Sequence, residues 1–276
     1  IYDGTTAATV TLGTDALGGD NVTALYSSAS FADKDVGNGK AVSVSGISIT
    51  GSDAGNYQLL NTTASTTADI TPKALSITAD STSKTYGDMV IFAGTEFTAS
   101  GLVAGDNITF VILDSTGASA AATVAGSPYD IVPSDATGTG LGNYTISYIN
   151  GTLTVDPKAL TITANDRSKT IGDTVTFAGT EFTASGLVNS DTVTSVTLTS
   201  AGAAPAAPVG SYDIVPSDAV GTGLGNYTIS YINGTLTVNP AVPTIISVSP
   251  NQEVQGITCN VTISGSSLTG ATSVSF

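Results

Sequence analysis

A long tandem repeat limits the possible folds of this chain more than any other feature of its sequence. Residues 129–157 and 212–240 are identical at 27 of 29 positions, and Lys73–Ala79 recurs as Lys158–Ala164 with one substitution. The copies are offset by 83 to 85 residues. That period is too long for a solenoid unit and long enough for each copy to bury a small core of its own. We therefore predict that the copies are separate domains.

The repeat divides the chain into four parts. Gly55-Asn56-Tyr57 precedes Ile70-Thr71-Pro72 much as Gly142-Asn143-Tyr144 precedes Val155-Asp156-Pro157, which indicates that a divergent relative of the repeat comes first. After Pro240 the pattern changes. The predicted parts are an N-terminal module (1–72), a first repeat (73–157), a second repeat (158–240) and a C-terminal segment (241–276).

Short alternating segments rich in Thr and Val predict strands, and no segment has the sustained periodicity of a helix. We expect an all-β chain in which each module is a small β-sandwich or β-grasp-like domain of about five to seven strands. The strands predicted in the first repeat, with counterparts in the second, are Leu75–Ala79, Phe97–Ser100, Ile108–Leu113 and Tyr129–Val132.

The segment Ile146–Val155 carries the strongest hairpin signal. Asn150-Gly151 separates two alternating runs, and this pair of residues supplies the positive φ angles of a type I′ turn. The predicted pairing puts Tyr148 opposite Leu153 on an apolar face. Asn233-Gly234 predicts the same hairpin in the second repeat.

The joins between modules are short. Only Asp156-Pro157-Lys158 separates the last strand predicted in the first repeat from the first strand of the second. Proline fixes its own φ and restricts the residue before it, so such a join is stiff. We expect the modules to stack end to end as an extended rod, each adding roughly 35 to 45 Å.

Composition excludes most catalytic and metal chemistry. The chain has no His, no Trp and one Cys, so it lacks the residues of His/Cys zinc sites and of Ser-His-Asp or Cys-His nucleophilic systems. We therefore expect no enzyme activity, no catalytic residue and no cofactor-binding residue. Cys259 cannot form an internal disulfide and is predicted to be a buried core thiol.

Charge and hydropathy limit the partners. Twenty-two acidic and seven basic side chains give a net charge of −15, which opposes binding to nucleic acid and to anionic membrane surfaces. No apolar run reaches the length of a membrane-spanning helix, so we expect no membrane insertion by this segment.

Several motifs resemble domains of large bacterial surface proteins. Tyr2-Asp3-Gly4-Thr5-Thr6 and Ile70-Thr71-Pro72-Lys73-Ala74 resemble the YDG domain. Both repeats resemble MBG domains, through Tyr86-Gly87-Asp88 and Asn143-Tyr144-Thr145 in the first copy. The second copy departs from the pattern, because Ile171 replaces the tyrosine.

The C-terminal segment resembles the opening of an IPT/TIG domain, an immunoglobulin-like sandwich, through Ile246–Pro250, Val261–Gly265 and Val274–Phe276. Together the resemblances imply an extracellular, cell-surface adhesin or stalk without a general active site. They also imply a YDG-like domain that lacks its first strand and a partial IPT/TIG domain, as in a piece of a longer protein.

Three functions remain open at this stage. The leading hypothesis is a structural spacer in a repetitive adhesin or surface filament, whose partners are neighbouring modules or subunits of the same protein. The second is a module that binds cell-surface or matrix glycans, or another protein. The third is a filament subunit that assembles by strand complementation.

Some side chains permit sharper readings. Asp33-Lys34-Asp35, Asp106-Asn107 and Asp156 are candidate calcium ligands, although isolated acids in β loops more often form turns. The tyrosines could form a sugar-binding strip, but their alternation with apolar residues favours packing; they are Tyr129, Tyr144, Tyr148, Tyr212, Tyr227 and Tyr231. The lysines flanking strands are predicted to protect exposed edges, with an isopeptide bond to an Asn as the alternative; they are Lys40, Lys73, Lys84, Lys158 and Lys169.

Overall fold

A computed structural model describes residues 1–249, 255–256 and 260–268. The chain forms two compact units, Ile1–Asp156 and the part that begins at Pro157. The prediction of an all-β chain is confirmed. In the described residues every helical segment is a three-residue 3-10 turn; these are Ala54–Asn56, Thr116–Ala118, Val124–Gly126, Leu141–Asn143, Ala201–Ala203 and Leu224–Asn226.

The N-terminal module contains five strands, within the predicted range. One antiparallel sheet has the order β2-β3-β5, and a two-stranded sheet pairs β1 with β4. The small core under the larger sheet consists of Ala29, Val42, Val44 and Ile47. The strands are β1 (Thr23–Leu25), β2 (Ser28–Phe31), β3 (Gly37–Ser45), β4 (Ser48–Thr50) and β5 (Thr63–Ile70).

The first repeat contains seven strands in two sheets, β11-β6-β8 and β7-β12-β10-β9. All four predicted strands are confirmed, and the one that begins at Tyr129 extends further, to Thr139. The strands are β6 (Lys73–Ala79), β7 (Thr82–Thr85), β8 (Phe97–Ser100), β9 (Asn107–Asp114), β10 (Tyr129–Thr139), β11 (Tyr144–Ile149) and β12 (Gly151–Asp156).

Alternation along the strands supplies the core between these two sheets. In β12 every second residue is buried, so Leu153 and Val155 face inward while Thr152 and Thr154 face solvent. This period of two is the pattern of a strand with one buried face.

The predicted hairpin at Asn150-Gly151 is wrong. Strands β11 and β12 lie in different sheets, where β11 pairs in parallel with β6 and β12 pairs in parallel with β7. Glycine is required here for space: a Cβ on Gly151 would lie 2.5 Å from the carbonyl oxygen of Ala79. The chain therefore uses Asn150-Gly151 to cross from one sheet to the other, and Asn233-Gly234 does the same in the second repeat.

The second repeat has the same two sheets, with the orders β15-β13-β18 and β14-β19-β17-β16. The two residues that it lacks relative to the first repeat lie in the loop after β16. Its strands are β13 (Lys158–Ala164), β14 (Arg167–Thr170), β15 (Phe182–Ser185), β16 (Thr192–Thr199), β17 (Gly210–Thr222), β18 (Tyr227–Ile232) and β19 (Gly234–Asn239).

In the C-terminal segment, β20 (Thr244–Ser249) pairs antiparallel with β21 (Thr262–Ser266). The predictions for Pro250, Cys259 and Val274–Phe276 lie outside the described residues, and the IPT/TIG resemblance stays a prediction. Across the described ranges, no helix has the length and apolar character needed to cross a membrane.

Candidate functional site: the joint between the N-terminal module and the first repeat

The tyrosine near the start of the chain connects two modules. The backbone N–H of Tyr2 donates to the carbonyl of Thr71 at 2.8 Å, which fixes Tyr2 beside the last residues of its own module. Its side chain reaches into the first repeat, where the hydroxyl donates to Oδ2 of Asp106 at 2.8 Å. The side chain is only 2% exposed, so the contact is part of the interior.

Asp106 accepts hydrogen bonds from two phenols. The hydroxyl of Tyr144 donates to the same Oδ2 atom at 2.7 Å, and it also accepts the backbone N–H of Val103 at 2.9 Å. The two rings meet edge to face, with centroids 5.5 Å apart and an interplanar angle of 78°. The Asp106 side chain is 3% exposed, and the Lys34 ammonium lies 3.8 Å away. A buried carboxylate is thus held by two donors and a nearby cation.

This arrangement shifts the pKa values of the groups. Burial opposes ionisation of Asp106, but the hydrogen bonds from Tyr144 and Tyr2 and the charge of Lys34 outweigh it, so the pKa of Asp106 is lowered. Burial, followed by the bond to Asp106, raises the pKa of Tyr144 to about 12 and raises that of Tyr2. At neutral pH the site therefore holds one carboxylate and two neutral phenols.

Asn143 forms a second set of bonds across the joint. Its Oδ1 accepts the backbone N–H of Val36 at 2.8 Å, and its Nδ2 donates to Oδ1 of Asp35 at 3.1 Å. Asn143 is buried. Both polar atoms of the Asn143 side chain thus bond to the N-terminal module. Because the two bonds run from different atoms to different residues, they fix the orientation of the two modules as well as their contact.

The hydrophobic core is continuous across the joint. Tyr2 and Ile70 of the N-terminal module pack in one cluster with buried residues of the first repeat, namely Leu75, Ile77, Val111 and Tyr144. Gly4 allows a close approach of the two modules. It has φ +83°, and a Cβ there would lie 2.5 Å from Cγ1 of Val103. Separate domains joined by a hinge do not share a core in this way.

The glycine-rich segment 138–142 passes close to the Asp106 carboxylate. Gly140 adopts a left-handed conformation, with φ +76°, at the start of the 3-10 turn Leu141–Asn143. A Cβ on Gly140 would lie 2.1 Å from Oδ1 of Asp106. The glycine is needed so that the backbone can approach the Asp106 side chain.

The second repeat contains the equivalent of this receiving side. The hydroxyl of Tyr227 donates to Oδ2 of Asp191 at 2.8 Å and accepts the N–H of Val188 at 3.0 Å. Gly223 has φ +71° and approaches Asp191 as closely as Gly140 approaches Asp106. Tyr227 and Asn226 are buried.

The structure assigns other bonds to the candidate calcium ligands. Asp33 accepts the N–H of Asp35 and the Lys40 ammonium, as in a turn. Asn107 accepts the N–H and the hydroxyl of Thr139, and Asp106 binds the two phenols. Within the described parts of the chain, no three His, Cys, Asp or Glu side chains are grouped to hold a metal. A calcium site stays a prediction.

Two of the lysines predicted at exposed edges are buried instead. Lys84, 7% exposed, donates to the carbonyls of Asp88 and Ser119. Lys169 donates in the same way to the carbonyls of Asp173 and Ala204. Burial lowers the pKa of Lys84, although the charge of Asp88 opposes this shift. These two lysines tie loops to a strand rather than protecting an edge.

The repeat tyrosines bond to the backbone of their own modules. The predicted packing role holds for Tyr144 and Tyr227, which are buried, and not for Tyr148 and Tyr231, which are 38% exposed. The Tyr148 hydroxyl accepts the N–H of Ala136 at 2.8 Å, and the Tyr129 hydroxyl donates to the carbonyl of Thr123 at 3.0 Å. The Tyr212 hydroxyl donates to the carbonyl of Pro208.

The sequence assigns Tyr2 and Tyr144 to domain motifs and Asp106 to a candidate calcium site. It does not predict their contact with one another. One signal was available. Tyr2, Tyr86 and Ile171 are followed within two residues by a glycine and an aspartate, which marks one turn used three times.

Comparison with known families agrees with this structure. Residues 75–154 and 160–237, more than half of the chain, match the MBG domain (YGX type). The chain belongs to the MBG domain family. Residues 1–67 match the YDG domain, so the resemblances to the YDG and MBG domains are both confirmed. No curated protein matches the chain. A YDG domain followed by two MBG domains fits a repetitive, adhesin-like protein, and both domain types are non-enzymatic.

Proposed function

We propose that the chain is a spacer section of a repetitive surface adhesin located outside the cell. Its modules hold a distance and transmit load, while adhesion and anchoring belong to other parts of the protein. The joint at Asp106 is the observation that carries this proposal. A spacer must resist bending where its modules meet, and an interior shared between two modules gives that resistance.

Composition also supports a passive role. The chain lacks His and has a single Cys, so few side chains could act as a nucleophile or a general base near neutral pH. The joins contribute too, since Pro72 and Pro157 each lie next to the strand that begins the following module.

Small-angle X-ray scattering of the full chain tests the proposal against a variant that lacks residues 73–157. The deletion joins Pro72 to Lys158 and preserves the local sequence Pro-Lys-Ala-Leu. If the modules are spacers, the maximum dimension falls by the length of one module, roughly 35 to 45 Å. An unchanged maximum dimension, or a globular scattering profile for the full chain, would contradict the spacer role.

A second candidate function rests on a cleft of about 790 Å³ in the N-terminal module. Its lining combines an aromatic ring, polar side chains and exposed leucines, a mixture suited to a ligand. The hydroxyl of Tyr57 donates to Asp20 at 2.6 Å and accepts the N–H of Leu17 at 3.0 Å, which holds the ring at the cleft. Asp15, Gln58, Asn61 and Leu60 lie beside it.

A glycan array probed with the full chain, and with a Tyr57→Ala variant, separates the two functions. Saturable binding that the variant loses favours a binding module. Equal signals from both chains, at the level of a blank, favour the spacer. Tyr148→Ala is a matched control, because it removes an exposed tyrosine away from the cleft.

A further inference from the structure

The joint at Asp106 has two sides, and each consists of a turn and a bonding partner from elsewhere in the same module. The presenting side is a turn that carries a tyrosine, in which Tyr2 donates its N–H to the residue before Pro72. The receiving side is an aspartate that follows a tight turn and bonds to an interior tyrosine, as Asp106 bonds to Tyr144. The two sides meet through the Tyr2 hydroxyl.

The presenting turn occurs once in each module. The N–H of Tyr86 donates to the carbonyl of Asp156 at 2.9 Å, next to Pro157, as the N–H of Tyr2 does to Thr71. In the second repeat Ile171 occupies the position of the tyrosine, and its N–H donates to the carbonyl of Asn239. The backbone arrangement is thus kept in all three, while the hydroxyl is present in the first two.

The receiving side occurs in both repeats, with the same internal bonds. The N–H of Asp106 donates to the carbonyl of Val103 at 3.1 Å, and that of Asp191 donates to the carbonyl of Val188 at 2.9 Å. The Tyr144–Asp106 and Tyr227–Asp191 bonds are 2.7 and 2.8 Å. The buried apolar residues of the two repeats also correspond: Leu160 and Ile162 of the second repeat are the equivalents of Leu75 and Ile77 of the first.

Two differences surround the second receiving side. Asn189 and Ser190 stand where the first repeat has Ala104 and Gly105, and both adopt positive φ angles of 54° and 63°. These residues alter the rim of the turn. They leave Val188, Asp191 and Tyr227 in the same mutual arrangement as Val103, Asp106 and Tyr144.

We propose that the receiving side of the second repeat, formed by Val188, Asp191 and Tyr227, is a docking site for a module that presents a tyrosine hydroxyl from such a turn. The Asp191 carboxylate accepts that hydroxyl beside the one from Tyr227. Recognition depends on the hydroxyl and on the turn that carries it, so any module with this turn and a short proline join fits. The inference concerns recognition between modules and holds whether or not the chain acts as a spacer.

The chain that lacks residues 73–157 tests this proposal, because it places the Tyr2 turn directly before the second repeat. In that chain we expect Tyr2→Phe to lower the melting temperature by about 5 °C, because the substitution removes one hydrogen bond to a carboxylate. Asp191→Asn removes the charge of the acceptor and so reduces this effect of Tyr2→Phe, which makes the two substitutions non-additive. In the full chain the same two substitutions are additive, while Tyr2→Phe and Asp106→Asn are not.

Additive effects of Tyr2→Phe and Asp191→Asn in the shortened chain would overturn the proposal. If the shortened chain does not fold, a second design replaces residues 73–157 by another copy of residues 158–240, which keeps three modules. The expected coupling there is again between Tyr2 and the Asp191 of the inserted copy. Independent melting of residues 1–72 and that copy would equally overturn it.

Discussion

The hydroxyl of Tyr2 lies 2.8 Å from Oδ2 of Asp106, although the two residues are 104 positions apart in the chain. Tyr144 donates to the same oxygen from within the repeat. One carboxylate oxygen therefore links the folding of the repeat to the attachment of the module before it. Substitutions here should affect both modules together.

Tyr2→Phe keeps the ring and removes only the hydroxyl. Because the lost hydrogen bond has a charged acceptor, we expect the free energy of unfolding of residues 1–156 to fall by about 2 kcal/mol, measured by chemical denaturation. Tyr57→Phe is the matched control, since it removes a phenol that donates to the exposed Asp20. It should cost less than about 1 kcal/mol. Equal costs for the two variants would mean that burial adds nothing to the Tyr2 bond.

Acid should weaken the joint through Asp106. The pKa of Asp106 is lowered in the folded state relative to its usual value of 3.8. Its contribution to stability is thus fully present above pH 3.8 and is lost as the pH falls through the lower folded value. When thermal melting is measured from pH 7 to pH 2, the melting temperature of the unaltered chain should fall more steeply with acid than that of Asp106→Asn. Parallel curves for the two chains would exclude Asp106 as a source of this dependence.

High pH should weaken the joint through ionisation of Tyr144. The folded pKa of Tyr144 is about 12 and the usual value is 10.0, so its contribution is present below pH 10 and is lost as the pH rises through 12. The ultraviolet absorbance of phenolate, compared between the unaltered chain and Tyr144→Phe, isolates this titration. Asp106→Asn removes the carboxylate and should move the titration of Tyr144 to lower pH. A titration of Tyr144 near pH 10 in the unaltered chain would contradict the burial of this phenol.

The strand pattern was predictable from sequence because it is a local property. Alternation in Lys73–Ala79 and in Gly151–Asp156 directly reports which residues face the core. The pairing of those strands was not predictable in the same way. Asn150-Gly151 has the composition of a tight turn, but Gly151 is there because the carbonyl of Ala79 leaves no room for a side chain.

The joint was beyond prediction for a related reason. Asp106 looks like any acid in a loop until Tyr2 and Tyr144 cover it, and these residues come from 104 and 38 positions away. Burial of a charge depends on partners that no short window contains. The buried lysines are a similar case, because Lys84 donates to the carbonyl of Ser119, which lies 35 positions further along the chain.

The two glycines of one motif provide a test of the backbone at the joint. Gly140 has φ +76° and no space for a Cβ beside Asp106, whereas Gly142 has open space around it. Gly140→Ala should therefore lower the free energy of unfolding of residues 1–156 by about 2 kcal/mol or more, and Gly142→Ala should change it by less than about 0.5 kcal/mol. In the second repeat, Gly223→Ala and Gly225→Ala should differ in the same direction. Similar costs at Gly140 and Gly142 would show that the close approach to Asp106 is not needed.

Lys84→Met should loosen the two loops of the first repeat that Lys84 ties to β7. The substitution keeps an unbranched side chain but leaves the carbonyls of Asp88 and Ser119 without the ammonium that bonds to them. Because both bonds come from a charged donor that is itself buried, we expect a loss of about 2 kcal/mol and faster amide hydrogen exchange in residues 116–126. Lys73→Met, at the half-buried start of β6, should leave exchange in that loop unchanged. Unaltered exchange in Lys84→Met would show that Lys84 fills space without tying the loop to β7.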